Sequence, residues 1–405
     1  MRHLVRPLVL SVAVVVLALC GSAWSAETSS ARPTELSSAL GTLEQVRLEG
    51  LDDTAARQAW RIVAAADAGQ LTAVLAALDR AGPLAANWIR SAADAIAARS
   101  LPRGSPELNK SLEIFVLDTA HSPRARRMAY EWLVRFDPPI ADRLVPGFLN
   151  DPSTELRRDA VDRLIGQADK LMDAGRQGDG KFEPGKQAEA LAIYRQAMTA
   201  ARDLDQVNQL VKLLEKLGDH VDLPKHFGFI TTWQLIGPFD NTGGKGLEAI
   251  YPPETAIDLA ASYQGKTKSV AWFSNTTKDP FGMVDLNQAI DKVHGAVAYA
   301  TAEFYADRER PVEVRLGCIT ACKLWLNGQY LIGQQAYHAG TKIDQFIGHG
   351  VVRPGRNVIL LKICQNEQTE AWAQNWQFQL RLCDSLGAAV PFEVITGKKE
   401  GKVQP

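Results

Sequence analysis

Apolar residues recur along this chain with two different periods, and the change between them divides the sequence. From about residue 46 to about residue 218 the spacing is that of helices with one buried face. Leu71, Val74, Leu75 and Leu78 fall at i, i+3, i+4 and i+7. Leu84, Trp88, Ala92 and Ile96 repeat the rule behind the helix-start pair Gly82-Pro83. Ala125, Met128, Ala129, Trp132, Leu133 and Phe136 form one stripe. Leu191, Tyr194, Met198 and Ala201 mark a later helix, and Val207, Leu210, Val211, Leu214 and Leu217 mark the next. Close to Pro224 the period shortens to two. The segments TTWQLIGPF, AVAYATAEFYA, PVEVRLG, CKLWLNG, NVILLKIC and WQFQLRLC are short, alternating and bounded by Gly, Pro, Asn or Asp, which predicts strands. No helical stretch of comparable strength separates them, so they predict an antiparallel β-sandwich.

Within the helical half, ARRMAYEWL (Ala125 to Leu133) aligns with LRRDAVDRL (Leu156 to Leu164) at an offset of 31 residues, each copy behind a polar break. Two helices per unit of this length, with an Arg pair just inside the second, resemble HEAT repeats, and the last two helices look like a tetratricopeptide-style pair. The resemblance implies an α-solenoid, in which each helix pair buries its stripe against its neighbours. The Gly-rich stretch Asp173 to Gln187 lacks the alternating carboxylates and closing Glu of an EF-hand and reads as a linker.

The start of the chain differs from the rest. A basic MRHLVR precedes the apolar PLVLSVAVVVLALC and the small, polar GSAWSAETSS, the pattern of a secretory signal peptide cleaved near Ser25 or Ala26. The apolar run is short for a membrane span. Leu19 before Cys20 is bulky for lipoprotein processing, so soluble export is the reading over an anchored form. The expected organisation is a signal peptide at 1–26, a flexible segment at 27–45, helical repeats at 46–220, the sandwich at 221–396 and a disordered tail at 397–405. The expected location is the periplasm or the exterior, with no membrane span after cleavage.

Composition narrows the partners. With 405 residues and 46% apolar content the chain can fill two cores. The net charge of −1 shows no basic excess, which argues against nucleic acid. GPFDNTGGKG has the residues but not the spacing of a phosphate loop, which argues against nucleotides. His220, His226, His338 and His349 have no metal-ligand spacing, and no nucleophile-elbow pattern surrounds them. No cofactor is expected; Asp240 and Asn241 at the GPFDNTGGKG turn read as loop-capping groups or as ligands for a structural calcium ion.

After signal cleavage Cys318, Cys322, Cys364 and Cys383 remain. Strand parity turns Cys318 and Cys322 inward and Cys364 and Cys383 outward, which argues against one tetrahedral zinc site. Disulfides Cys318–Cys322 and Cys364–Cys383 fit that parity, and so do free thiols.

The run RLGCITACKLWLNGQYLIGQQAYHAG, continued by DQFIGHGVVRPGRNVILLKI, resembles the sugar-binding jelly roll of glycoside hydrolase family 2, through Gly317, Trp325, Asn327, Gly328, Gly355 and Asn357. The resemblance implies a galactose-binding-like fold. The catalytic barrel of that family has no counterpart here, so its activity is not implied. Asn327-Gly328 by itself suits a two-residue hairpin turn, so LNG reads as turn chemistry. Aromatic side chains on such a fold can stack on sugar rings. The candidates are Trp325, Tyr337, His338, Asn366, Glu367, Trp372 and Trp376, set against the simpler account that large residues cover the sheets. The expectation is a secreted, non-catalytic adaptor, with repeats engaging a protein and the jelly roll a carbohydrate. The alternatives are a pure interaction scaffold and a polysaccharide-acting enzyme.

Overall fold

The computed structural model describes residues 32–47, 53–100, 105–178 and 181–394. The expected signal peptide and tail lie outside these residues. Helices come first and antiparallel strands second. The chain divides into two compact units, Met1–Asp137 and Pro138–Pro405, so the boundary expected at 220/221 falls inside the second. Among the described residues no single helix is long and apolar enough to cross a membrane.

The first unit holds α1 (Pro33–Glu44), α2 (Asp53–Ala64), α3 (Leu71–Ala76), α4 (Pro83–Ser100), α5 (Pro106–Leu117) and α6 (Pro123–Phe136). Helix α1 replaces most of the flexible segment expected at 27–45. Its buried residues Leu36, Ala39, Leu40 and Leu43 have helical spacing, masked by the surrounding Ser and Thr. In α4 the buried face is Ala85, Ile89, Ala92, Ala93 and Ile96, one position round from the expected stripe. Alanines let neighbouring helices approach closely, which a search for large apolar residues overlooks. Proline at the first helical positions and a preceding serine set several starts. Ser105, for instance, accepts from the Leu108 N–H at 3.1 Å.

The second unit begins with α7 (Ile140–Leu144), α8 (Thr154–Gly175), α9 (Pro184–Ala200), α10 (Leu204–Lys216) and α11 (Leu223–Phe227). The aligned segments use their arginines alike. Arg126 in α6 is buried and donates Nε to Val116 O at 2.7 Å. Arg157 in α8 is buried and donates to Asp151 O at 3.4 Å. Each reaches back to a carbonyl that precedes its own helix. Gly228, at φ 77°, ends α11 and marks the change of period.

The strands are β1 (Thr232–Asp240), β2 (Ser262–Gln264), β3 (Ser269–Ala271), β4 (Phe273–Thr276), β5 (Val284–Asp285), β6 (Ala296–Ala306), β7 (Arg310–Cys318), β8 (Ala321–Leu326), β9 (Gln329–Gln334), β10 (Phe346–Val352), β11 (Gly355–Gln365), β12 (Gln377–Cys383) and β13 (Glu393–Val394). All six expected segments are strands. The larger sheet runs β4-β1-β6-β11-β8-β9, with β13 also on β6, and the smaller runs β10-β7-β12-β5. Inward side chains of both sheets share one core, with Leu361 and Ile363 from β11 and Phe378 and Leu380 from β12 among them. The β8–β9 turn has Asn327 at φ 51° and Gly328 at φ 79°, the left-handed pair that a two-residue hairpin requires.

The outward cysteines need correction. Cys364 and Cys383 do point away from the shared core, yet both are buried. The outer face of the larger sheet has a second apolar layer, in which Leu247 and Val270 pack with Cys364. Cys383 lies under the returning chain, which pairs with it at Ala389. Burial pushes the Cys364 thiol up to about 12 and the Cys383 thiol up to about 11. The two sit on opposite outer sides of the paired sheets, so they cannot form a disulfide. Cys318 and Cys322 both enter the shared core, and all four are free thiols.

Helices and smaller sheet are joined through Arg381, which is buried on the outer side of β12. Its Nε donates to Asp344 Oδ1 at 2.6 Å and its NH2 to Asp344 Oδ2 at 2.5 Å. Its NH1 donates to Phe227 O and Gly387 O at 3.2 and 3.1 Å. Asp344, at φ 59°, also accepts from Arg315 at 2.7 Å. Replacing Arg381 with Met should lower unfolding free energy by about 2 kcal/mol, because the partly buried Asp344 carboxylate loses its bidentate partner and two carbonyls lose a donor; denaturant titration measures this.

His226 in α11 supplies a pH dependence. Burial first, then the nearby Arg202 guanidinium, push its pKa from 6.5 down to about 4, against a hydrogen bond to Ala201 O. Its contribution is complete above pH 6.5. As pH falls toward 4 the unfolded chain takes up a proton that the folded chain refuses, so stability declines across that window. Denaturation at pH 7 and pH 4.5 should show a smaller decline for His226→Gln than for the parent chain.

Candidate functional site

Three connections meet at one end of the larger sheet: residues 241–247 after β1, residues 335–345 between β9 and β10, and residues 366–376 between β11 and β12. Asn241 holds them together. Its side chain is fully buried. Nδ2 donates to Tyr337 Oη at 3.0 Å and to Gln365 O at 2.9 Å, and Oδ1 accepts from the Gly246 N–H at 2.8 Å. The Asn241 N–H donates to Gly295 O at 2.8 Å, and the Gly295 N–H to Asn366 O at 2.7 Å. These bonds occupy the amide that the sequence offered as a cation ligand. Asp240 accepts from Thr242 Oγ1 at 2.7 Å and lies 3.3 Å from Lys266 Nζ. Among the described residues no three His, Cys, Asp or Glu side chains converge as metal ligands.

Five sequence candidates come together on this frame. His338 Nε2 lies 3.0 Å from Asn366 Oδ1, and its ring meets Trp372 edge-on with centroids 5.2 Å apart. Asn366 Oδ1 also accepts the Gln368 N–H at 3.2 Å, which identifies it as the amide oxygen. The other ring nitrogen, Nδ1, is buried and has no partner among the described residues. His338 also holds φ 59°, a strained value for a residue with a side chain. Glu367 Oε2 accepts from the Gly243 N–H at 3.0 Å. Tyr337, half-buried, has its hydroxyl pKa raised chiefly by burial.

A shallow cleft of ≈ 550 Å³ opens here, lined by Gly243, Gly244, Tyr337, Asn366, Glu367 and Glu370 among others. Trp372 stands beside His338 with 62% of its surface exposed. The cleft thus offers the Glu367 and Glu370 carboxylates as acceptors, with the exposed Trp372 ring nearby, a set suited to hydroxyl donors on an apolar-faced ligand.

Two candidates lie elsewhere. Trp376 is fully buried in the shared core and cannot meet a ligand. It has the parity of Phe378, Leu380 and Leu382, a signal that would have placed it inward. Trp325 lies on the outer face of the larger sheet and lines a different cavity of ≈ 630 Å³ with Ile257, Arg356 and Leu360. Of the residues carrying the family resemblance, Asn327 and Asn357 serve the turns. Asn327 Oδ1 accepts from the Val358 N–H at 2.9 Å, and Asn327 Nδ2 donates to Asn357 Oδ1 at 2.8 Å. Sequence reasoning offered Asn241 as a loop-capping group but not as the link between three connections, since nothing local shows that its partners include Gln365 and Tyr337.

Asn241→Ala removes one buried donor group and one acceptor while leaving their partners unmatched. It should cost about 2 kcal/mol of stability and loosen the 335–345 and 366–376 connections. Thermal unfolding, with hydrogen exchange across those two segments, reads both effects.

No protein-family profile and no curated protein matches the chain. Solved structures give distant likenesses. A beta-glucosidase from Kluyveromyces marxianus in complex with glucose is 13% identical over 22% of this chain and 11% of its own, with a TM-score of 0.18. The GH31 alpha-xylosidase from Xanthomonas citri is 12% identical over 40% and 17%, at 0.19. The selenomethionine-labelled form of the Kluyveromyces marxianus beta-glucosidase is 10% identical over 70% and 36%, at 0.24. This chain spans well under two thirds of each of these proteins, and at such scores the likenesses carry no argument about its architecture or activity.

Proposed function

We propose that this is a secreted, non-catalytic binding protein that takes a saccharide at the cleft beside Trp372. In this reading the two antiparallel sheets form a galactose-binding-like jelly roll, and the helices form a repeat array that engages a protein partner. The observation that carries the reading is the exposed Trp372 ring held against His338, whose strained backbone lies beside the cleft lined by Asn366 and Glu367. Strain at a non-glycine residue persists only where surrounding structure enforces it, and it gathers at ligand sites. A sugar ring would lay its C–H face on Trp372 and direct hydroxyls toward Glu367 and Glu370. The openness of the cleft favours binding over enclosed catalysis.

Affinity electrophoresis of the full chain in gels containing single polysaccharides tests the reading. One polysaccharide should retard the parent chain, and Trp372→Ala should weaken that retardation at least tenfold, about 1.4 kcal/mol. Trp325→Ala, in the other cavity, should leave it unchanged. Absence of retardation by every polysaccharide, alongside capture of a defined protein, would favour the scaffold reading. Release of reducing ends from a polysaccharide would favour the enzyme.

A further inference from the structure

Strand β10 ends the smaller sheet. It pairs with β7 along one side, and no described strand pairs with its other side. Val351 stands opposite Pro311 in that ladder. Proline has no N–H, so this pair cannot exchange backbone hydrogen bonds. Alternation then gives the bonds with β7 to Phe346, Gly348, Gly350 and Val352. The N–H and C=O groups of Ile347, His349 and Val351 turn toward the free edge.

The same three residues show their side chains to solvent. Ile347 is 46% exposed and Val351 44%, while the His349 side chain is 79% exposed. The two glycines face the opposite way. A Cβ on Gly348 would lie 2.9 Å from Leu331 Cβ, and one on Gly350 would lie 2.8 Å from Leu326 Cδ2. The underlying strands therefore meet β10 on its glycine face. Edge strands are ordinarily blunted by lysine, proline or a bulge. FIGHGVV contains none of these.

The strand also reads nearly alike in both directions about His349, with Gly348 against Gly350, Ile347 against Val351 and Phe346 against Val352. We propose that β10 pairs antiparallel with β10 of a second copy of this chain, with the two-fold axis passing beside His349. Ile347 then faces Val351 of the partner subunit, and His349 faces His349 of the partner subunit. Every edge-facing residue meets another, so backbone bonds are exchanged in pairs along the whole strand. The two smaller sheets become one continuous sheet through an isologous contact.

Sedimentation equilibrium of the full chain should give the mass of a dimer. The double variant Ile347→Lys with Val351→Lys changes only exposed side chains, so it should sediment as a monomer with an unaltered circular dichroism spectrum and Tm. His349→Pro removes an edge-facing N–H and should also weaken the dimer. A short bifunctional thiol reagent reads the register. His349→Cys should cross-link to itself, Ile347→Cys alone should not, and Ile347→Cys mixed with Val351→Cys should. A monomeric parent chain overturns the proposal, as does a dimer that survives the double lysine variant or cross-links through Ile347→Cys alone.

Discussion

A buried guanidinium must find a counter-charge and enough acceptors, and Arg381 meets that demand from three segments at once. Asp344 supplies the carboxylate, the end of α11 supplies Phe227 O, and the turn after β12 supplies Gly387 O. None can shift without leaving buried polar atoms unmatched, which costs more than the bonds themselves contribute. Asp344 lies on the connection that carries Tyr337 and His338 a few residues earlier and enters β10 two residues later. The ion pair that docks α11 on the smaller sheet thus fixes the far end of the candidate ligand loop and the start of the free edge.

The larger sheet solves a related problem on its outer face. A strand buried on one side only would alternate apolar and polar, yet β11 reads NVILLKIC because both of its faces are covered. The covering segment, roughly residues 247–272, is held by Lys362, whose Nζ is buried. It donates to Leu247 O at 3.0 Å, Ala249 O at 2.6 Å and Glu254 Oε1 at 2.8 Å. Tyr299 Oη adds a bond to the same carboxylate oxygen at 2.5 Å. Burial and that carboxylate both raise the phenol's pKa. The cluster uses every ammonium proton in anchoring the strap, which gives a charged interior residue a structural duty.

The candidate ligand site was partly legible. Tyr337, His338, Asn366, Glu367 and Trp372 could be grouped because they lie in the connections after β9 and β11, and those connections do meet. Their chemistry was not legible. The φ of His338, its unpartnered nitrogen and the acceptor on Asn366 depend on hydrogen bonds between segments distant in sequence. Strand β10 escaped notice for the opposite reason. In its middle Ile347 and Val351 face solvent while Gly348 and Gly350 face inward, so the usual meaning of alternation is inverted there, and only Phe346 and Val352 at its ends reach the core.

The sequence by itself determined the order of helices and strands, the six principal strands, the Asn327-Gly328 turn and the facing of all four cysteines relative to the shared core. These follow from local periodicity and backbone preference, which each segment carries with it. Tertiary structure alone decided that outward-facing Cys364 and Cys383 are buried, that Trp376 is core while Trp372 is exposed, and that Asn241 organises the loops. Burial depends on what covers a face, and the covering residues lie far along the chain.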